Sequence, residues 1–282
     1  MKGRWARFLL RAGEALGSVA WALGLRKRVA LEGLRRAFPE RTEKERRATA
    51  HAAYRQLGRS LVEVALTQGV ADADLRKLVV FDDWDRYEAA RARGRGVVIA
   101  VSHFGNWELI ARAAARQGMP LTAITRALRG RLNQRLLAAR REGGMRELPE
   151  RGSTGAALRL LRRGEALAVM VDQNMRASRG IFVDFFGEPA CTTPAAAVFS
   201  LRAGAPLFAA FSVRGPDGTH HVRFEGPLAP PPGARGQSAV MALTQELTRR
   251  VERAVRAQPD HWFWVHRRWK TRPKDSLPPP AR

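Results

Sequence analysis

The sequence predicts an α/β domain built around a largely buried sheet and preceded by amphipathic helices. From Val79 onward, short apolar runs bounded by glycine or polar residues alternate with stretches of helical periodicity. Such alternation is typical of a sheet whose strands are separated by helices. Before Val79, apolar residues instead recur at helical spacing. We therefore predict a helical, membrane-associating region over residues 1–75 and an α/β domain over residues 76–282.

The first predicted helix is amphipathic and basic. Apolar residues recur at helical spacing between Trp5 and Leu23, arginines lie off that face, and the basic run 26–28 follows. This pattern favours a helix lying in the plane of a membrane surface; packing on the protein's own core is the alternative. Because charges interrupt the apolar segment 5–25, we expect neither an ordinary membrane-spanning helix nor a secretory signal.

The elements that follow are predicted from periodicity and from their end signals. A short basic helix ends before Pro39, and a longer helix over 42–69 begins with the capping-box pair Thr42 and Glu45. The predicted strands are 97–101, 121–125, 166–171, 207–213 and 221–224, and the predicted helices are 107–117, 130–141, 154–163, 193–203 and 237–257. The proline-rich tract 227–236 is predicted to be a loop.

Charge is the unusual feature of the composition. Lys and Arg total 50 against 26 Asp and Glu, a formal net charge of +24. Such a surface favours nucleic acid, anionic lipid headgroups or an acidic carrier protein as partner. A genome rich in G and C also enriches arginine, so the charge alone selects no partner. The single cysteine, Cys191, excludes an internal disulfide and a four-cysteine zinc site, so a reducing compartment is expected. The six histidines show no metal-binding spacing, and no P-loop or dinucleotide motif occurs.

The stretch VVIAVSHFGNWELIARAAARQG, residues 97–118, carries the candidate chemistry. Five residues apart on one helix, His103 and Glu108 would lie about 140° apart. They approach each other only if His103 lies in the loop before the helix and Glu108 in its first turn. Glu108 would then fix the tautomer of His103, and the free ring nitrogen would take a proton from a hydroxyl. The alternative is a capping histidine and a solvated glutamate.

Four blocks follow one another between residues 97 and 273. They are HFGNWE (103–108), AITRALRGRLNQRL (123–136), AVMVDQNMRASRGIFVDFFGEPACTTPAAAVFSLRAGAPLF (168–208) and HWFWVHRRWKTRP (261–273). In this order they resemble the lipid A biosynthesis late acyltransferases of the lysophospholipid acyltransferase superfamily and the related phosphatidylinositol mannoside acyltransferases. HFGNWE matches the HX4(D/E) box of glycerolipid-type acyltransferases. Four ordered blocks are far more specific than one short box.

This resemblance implies a glycerolipid acyltransferase-like fold with a central mixed sheet flanked by helices. It also implies an acyltransferase that moves a fatty acyl group from acyl carrier protein or coenzyme A to a hydroxyl of a membrane glycolipid. The acceptor would be a lipid A precursor, a mannosylated phosphoinositide or an aminolipid. His103 would be the general base and Glu108 its partner, while Arg126 or Arg129 would bind phosphate or stabilise the oxyanion. No cofactor and no metal are implied.

The resemblance implies partners and a location as well. The protein would lie on the cytoplasmic face of the inner membrane, peripheral or monotopic, and contact anionic lipid, acyl carrier protein and the glycolipid acceptor. A basic nucleic-acid-binding protein and a membrane-bound scaffold are the alternatives from other classes. Because no helix-turn-helix, zinc-finger or RNP pattern occurs, we expect no nucleic acid partner. The oligomeric state stays open.

Five further residues are candidate substrate contacts: Asp172, Gln173, Phe185, Phe186 and Thr192. Asp172 and Gln173 end the strand 166–171, at the sheet edge where α/β sites form; a cap or turn is the alternative. Phe185 and Phe186 would line an acyl tunnel or pack in the core. Thr192 would start a helix or contact substrate.

The C-terminal block places Trp262, Trp264 and Trp269 among basic residues. This interleaving suits an interface where lipid meets phosphate. The same pattern is compatible with stacking on nucleic acid bases.

Overall fold

The computed structural model describes residues 4–125 and 131–273. Its first three helices are α1 (Arg4–Ala22), α2 (Lys27–Ala37) and α3 (Glu43–Leu66). At the start of α3, the Thr42 hydroxyl accepts from the Glu45 N–H and the Glu45 carboxylate accepts from the Thr42 N–H. These reciprocal bonds satisfy backbone donors that the first helical turn leaves unpaired. The predicted capping box is thus confirmed.

Within residues 4–125 and 131–273, no helix is by itself long and apolar enough to cross a bilayer. Phe8–Ala22 and Lys27–Ala37 meet the length and composition requirement only as a pair, and the two are bent by 91° at their junction.

A seven-stranded sheet forms the centre of the molecule. Its strands are β1 (Val79–Phe81), β2 (Val97–Val101), β3 (Leu121–Thr125), β4 (Arg146–Pro149), β5 (Ala166–Met170), β8 (Leu207–Arg214) and β9 (His220–Leu228), in the spatial order β1-β9-β8-β2-β5-β3-β4. Neighbouring strands are parallel except for β8 and β9. A separate antiparallel hairpin comprises β6 (Ile181–Phe185) and β7 (Glu188–Thr192). The mixed sheet confirms the predicted fold class.

Helices cover both faces of the sheet. They are α4 (Asp72–Leu78), α5 (Trp84–Arg91), α6 (Trp107–Arg116), α7 (Arg131–Glu142), α8 (Thr154–Arg162), α9 (Ala195–Ala203) and α10 (Gly236–Ala257), with a 3₁₀ turn at Pro259–His261. Alternate residues of a strand point to opposite faces. Val98 and Leu167 pack with α2, α3, α8, α9 and α10, whereas Ile99 and Ala168 pack with α5 and α6.

The helices before residue 75 belong to the main core. Leu34 of α2 and Tyr54 of α3 are buried in the same cluster as Val98 of β2. The predicted boundary between residues 1–75 and 76–282 itself stays a prediction.

Candidate active site

His103 lies in the loop between β2 and α6, at the carboxyl end of a central parallel strand. In an open α/β sheet, loops at this edge converge from several strands. Gly105 turns the loop with a φ of +63°, and a Cβ there would lie 2.3 Å from the backbone oxygen of Ser212. Only glycine fits this turn without strain. The predicted placement, with His103 in the loop and Glu108 in the first turn of α6, is confirmed.

Asp172, directly beyond β5, holds the ring of His103. Its Oδ1 lies 2.8 Å from the Nδ1 of His103, and its Oδ2 accepts from the His103 backbone N–H at 2.8 Å. The indole of Trp262 donates to the same Oδ2 at 2.9 Å. The Asp172 side chain is 3% exposed and that of His103 is 16% exposed. A nearly buried carboxylate therefore fixes both the backbone and the ring of one histidine.

Two opposing effects set the charge of Asp172. Burial raises the pKa of its carboxyl, but the charge of His103, the bonds from its ring and backbone and the bond from Trp262 together lower it more. The net direction is a pKa below the ordinary value, so Asp172 is ionised at neutral pH. An ionised carboxylate only accepts hydrogen bonds, which places a proton on the Nδ1 of His103.

Gln173 contacts the other ring nitrogen. Its amide Nε2 lies 3.1 Å from the Nε2 of His103. With a proton on Nδ1, the Nε2 of His103 carries a lone pair and accepts from this amide. Nε2 is the nitrogen that has the correct form to take a proton from a substrate.

Glu108 has a different partner from the predicted one. Its two carboxylate oxygens accept from the Nε and Nη2 of Arg140 in α7, the former at 2.9 Å. Arg140 also donates to Glu147 at 2.9 Å. Burial lowers the pKa of Arg140, but the hydrogen bonds and charges of the two glutamates raise it by more. The net pKa lies above the ordinary value, so the guanidinium stays charged. The structure thus corrects the predicted pairing: Asp172, 69 residues away along the chain, occupies the place at Nδ1 expected for Glu108.

The C-terminal segment is hydrogen-bonded to the loop that carries His103. The Phe263 N–H donates to the His103 carbonyl at 3.0 Å, and the Gly105 N–H donates to the His261 carbonyl at 2.9 Å. Trp262, Trp264 and Trp269 are buried, with exposures of 3%, 2% and 6%. The predicted role of these indoles at a lipid or nucleic acid interface is therefore wrong, because the segment folds into the core behind His103.

An apolar pocket lies between the sheet and α6. Ligand sites in proteins are typically concave and mostly apolar. Its wall includes Ile99, Val101, Ala111, Ala123, Met170 and Phe224. Trp107 and Glu108 also line it, and the Trp107 ring lies 5.0 Å from the His103 ring, centroid to centroid. The pocket therefore adjoins the candidate base.

Three predicted substrate contacts lie in the core on the other face of the sheet. Phe185 and Phe186 are 1% and 7% exposed and pack edge to face against each other in the cluster of α2 and α10. Thr192 donates to the Ala190 carbonyl at 2.9 Å and accepts from buried Arg268. The wall of the apolar pocket comes from other residues, so the structure assigns these three side chains packing roles. The apolar pocket lies on the face that α5 and α6 cover.

Arg126 and Arg129 lie outside the described residues. Asp172 and Gln173, predicted to shape the site, are both brought to His103. A group of three or more His, Cys, Asp or Glu side chains able to hold a metal ion was not found in residues 4–125 and 131–273.

Comparisons with known proteins agree on one family. Residues 6–271 match the sequence profile described as bacterial lipid A biosynthesis acyltransferase. The chain is 26% identical over 264 residues to the lipid A biosynthesis palmitoleoyltransferase of Escherichia coli (strain K12), covering 93% of this chain and 84% of that protein. It is 24% identical over 268 residues to the lauroyltransferase of the same strain, covering 94% and 86%. Identity to the phosphatidylinositol mannoside acyltransferase of Mycobacterium tuberculosis (strain CDC 1551 / Oshkosh) is 27% over 194 residues, covering 66% and 58%.

Proposed function

The chain belongs to the bacterial lipid A biosynthesis acyltransferase family and is an acyltransferase; on this premise we propose that it acylates a hydroxyl of a membrane glycolipid. The acyl donor is a thioester on acyl carrier protein or coenzyme A. One observation carries the proposal: the imidazole that Asp172 holds lies beside an apolar pocket. An oriented base beside an apolar pocket suits a reaction between a hydroxyl and a fatty acyl thioester.

In the proposed reaction, the acceptor hydroxyl takes the place of the Gln173 amide at the Nε2 of His103. Nε2 removes the hydroxyl proton while the oxygen attacks the thioester carbonyl carbon. The C–O ester bond forms, the C–S bond breaks, and the leaving thiolate takes the proton back from Nε2. Asp172 keeps the other proton on Nδ1 and stabilises the transient imidazolium.

The pocket between the sheet and α6 would hold the fatty chain. Its apolar wall supports this assignment, since burying each methylene contributes about 0.8 kcal/mol. Trp107 lines the pocket and contacts the His103 ring, so it would lie where the fatty chain joins the reacting carbonyl. Arg126 and Arg129 remain proposed phosphate or oxyanion ligands on the strength of the family resemblance.

The acceptor is proposed to be a lipid A precursor, as the names of the two Escherichia coli relatives suggest. A mannosylated phosphoinositide or an aminolipid is the alternative acceptor, and the mycobacterial relative supports the first of these. Lipid analysis of cells with and without the protein distinguishes the acceptors.

We propose that the protein acts at the cytoplasmic surface of a membrane. Large apolar side chains of α1 and the turn after it are exposed: Phe8, Leu9, Leu16, Val19, Leu23 and Leu25. Lys27, Arg28 and the net charge of +24 would attract anionic headgroups to the same end of the chain. A basic helix with an exposed apolar stripe suits insertion in the plane of the interface.

Replacing the base tests the proposed function. We expect His103→Ala to lower acyl transfer to extracted membrane glycolipid about 10²- to 10⁴-fold, the usual contribution of a general base. His221→Ala is the matched control, because that imidazole is half exposed and pairs with Asp82 beside the edge strand β1, which two strands separate from β2. Full activity in His103→Ala, with an unchanged melting temperature, would remove the proposed base.

A further inference from the structure

A second cavity, a groove with about 1260 Å³ of open space, lies at the carboxyl ends of β4 and β5. Its walls come from the loop after β4, the loop after β5 and the C-terminal segment. These three segments bring together the side chains of Arg151, Arg176, Arg179 and Lys270. Basic residues that are distant in sequence therefore converge on one concavity.

The groove has an excess of three positive charges. Its single carboxylate, Glu150, forms an ion pair with Arg179 at 3.1 Å. Arg151, Arg176 and Lys270 are exposed. His266 also lines the groove, but burial lowers its pKa to about 4, so it is neutral at neutral pH. The charge of the groove thus comes from fixed cations.

The floor of the groove is connected to the active site. Asn174 directly follows Gln173, whose amide contacts the Nε2 of His103. The Asn174 backbone N–H donates to the Nε2 of His266 at 2.8 Å. The Asn174 side chain exchanges two 3.0 Å hydrogen bonds with Thr271. These bonds hold the groove at a fixed position beside the reacting nitrogen.

An arginine-rich chain exposes many cations, so the exposure of a cation is not by itself evidence of a binding site. Isolated surface charges attract ligands weakly because water and salt screen them. Guanidinium groups that converge in a concavity act differently, since each presents a planar fork that matches two phosphate oxygens. An ammonium adds a compact charge, as Lys270 does here. The oxygens of a phosphate ester fit this set better than a single carboxylate.

We propose that the groove of Arg151, Arg176, Arg179 and Lys270 is a phosphate-ester subsite that positions a substrate at His103. This inference rests on the proposed function for the identity of the substrate. Two substrates carry the required group: a phosphorylated glycolipid acceptor, and the phosphopantetheine arm of the acyl donor. In both cases the phosphate lies in the groove while the reacting hydroxyl or thioester reaches the His103 ring.

Direct binding tests the subsite without requiring turnover. The probes for titration calorimetry are a short-chain phosphorylated glucosamine glycolipid, its dephosphorylated counterpart and coenzyme A. The proteins are the unmodified chain, Arg151→Gln/Arg176→Gln and the matched control Arg93→Gln/Arg95→Gln. Arg93 and Arg95 are equally exposed but precede β2, at the opposite end of the strands. Equal melting temperatures show that all three proteins are folded.

We expect the groove variant alone to lose about 10- to 100-fold in affinity for a phosphorylated probe, as the loss of one or both charge-assisted contacts predicts. Loss confined to the glycolipid supports a headgroup phosphate, and loss confined to coenzyme A supports the donor phosphate. Equal affinities in the three proteins, or no binding by the unmodified chain, would overturn the subsite. Binding without any acyl transfer would defeat the proposed function and leave the subsite intact.

Discussion

The Asp172 carboxylate receives three hydrogen bonds, and their arrangement decides which nitrogen of His103 carries a proton. Oδ2 is occupied by two N–H donors, the His103 backbone and the Trp262 indole. Oδ1 faces the Nδ1 of the ring. Since a carboxylate has no proton to donate, Nδ1 supplies one and Nε2 keeps its lone pair.

Asp172→Asn is expected to reverse this tautomer. The new carbonyl oxygen will stay with the two N–H donors, because an NH₂ group at that position would face donors only. The NH₂ group then lies against Nδ1 and donates to it, which moves the ring proton to Nε2. We expect acyl transfer to fall about 10²- to 10⁴-fold. Nitrogen-15 NMR of the imidazole reports the tautomer, and initial rates report the loss.

Glu108→Gln is the matched carboxylate-to-amide control. It weakens the ion pair with Arg140 but leaves the bonds around Asp172 in place. We therefore expect the proton of His103 to stay on Nδ1 in this variant, whatever happens to the rate. A proton that moves in Glu108→Gln and stays in Asp172→Asn would return the partner role to Glu108.

The sequence located the candidate base but not its partner. His103 could be found because HFGNWE sits at a strand end and resembles a known box. Local spacing offered Glu108 as the nearest acid, whereas Asp172 reaches His103 only because β2 and β5 are adjacent parallel strands. The same applies to Arg140, which α7 delivers to Glu108. Strand order is a tertiary property that one sequence does not reveal.

At the scale of elements, burial decided which strands could be predicted. The predictions of β2, β3 and β5 agree with the structure within one residue. β2 and β5 are continuously apolar and largely buried on both faces, and β3 has three apolar residues among its five. β4 reads Arg-Glu-Leu-Pro at the sheet edge, and β1 has three residues. The hairpin of β6 and β7 contains charged residues and proline. Such short or edge segments lack the apolar run on which the prediction depends.

Helices α1 and α3 cross at glycines, and the closeness of this crossing can be tested by substitution. A Cβ on Gly58 would lie 2.2 Å from the Gly13 carbonyl oxygen, and one on Gly17 would lie 2.1 Å from the Tyr54 carbonyl oxygen. Backbone this close cannot accept a methyl group unless the helices separate. We expect Gly58→Ala to lower the free energy of unfolding by about 1–3 kcal/mol, measured by urea denaturation.

A second helical glycine provides the control for Gly58→Ala. At Gly155 in α8, the nearest atom to a new Cβ is the flexible Nη1 of Arg159 at 3.4 Å. Gly155→Ala should therefore be neutral or stabilising, because alanine has the higher helix propensity. Equal destabilisation by the two substitutions would show that helix crossing is not the cause.

The exposed apolar side chains of α1 predict where the protein meets lipid. Leu16→Gln/Leu23→Gln should weaken sedimentation with anionic vesicles severalfold, since both side chains are more than half exposed. Leu201→Gln/Met241→Gln is the control, because those exposed apolar residues lie on α9 and α10. The melting temperature should change little in either variant. Unchanged sedimentation of the α1 variant would move the membrane contact elsewhere.

On the scale of the whole molecule, one buried charge cluster joins the N-terminal helices to the sheet. Glu63 of α3 is 1% exposed and is paired with Arg214 of β8. It also accepts from Asn106 at 3.0 Å and contacts His220 of β9 at 3.1 Å. Asn106 in turn caps α6 through the Leu109 N–H. A buried acid with this many hydrogen bonds couples α3, the start of α6 and the strands β8 and β9.

His220 makes this cluster sensitive to acid. Burial, with a further contribution from Arg214, lowers the pKa of His220 from 6.5 to about 3. As the pH falls below about 6.5, the unfolded chain binds a proton at this position and the folded chain does not. Its contribution to stability is therefore complete above pH 6.5 and declines steadily toward pH 3. The slope from this one group approaches about 1.4 kcal/mol per pH unit.

His220→Gln removes that titration while an amide donor remains for Glu63. We expect the variant to be less stable at pH 7 but to lose stability more slowly than the unmodified chain between about pH 6 and pH 5, the window below the ordinary histidine pKa. Urea denaturation at a series of pH values gives both slopes, and the difference corresponds to about one proton. His221→Gln on the same strand is the control, since that ring is 48% exposed and pairs with Asp82 rather than with Glu63. Parallel pH curves for His220→Gln and the unmodified chain would show that the buried imidazole already carries a proton beside Glu63.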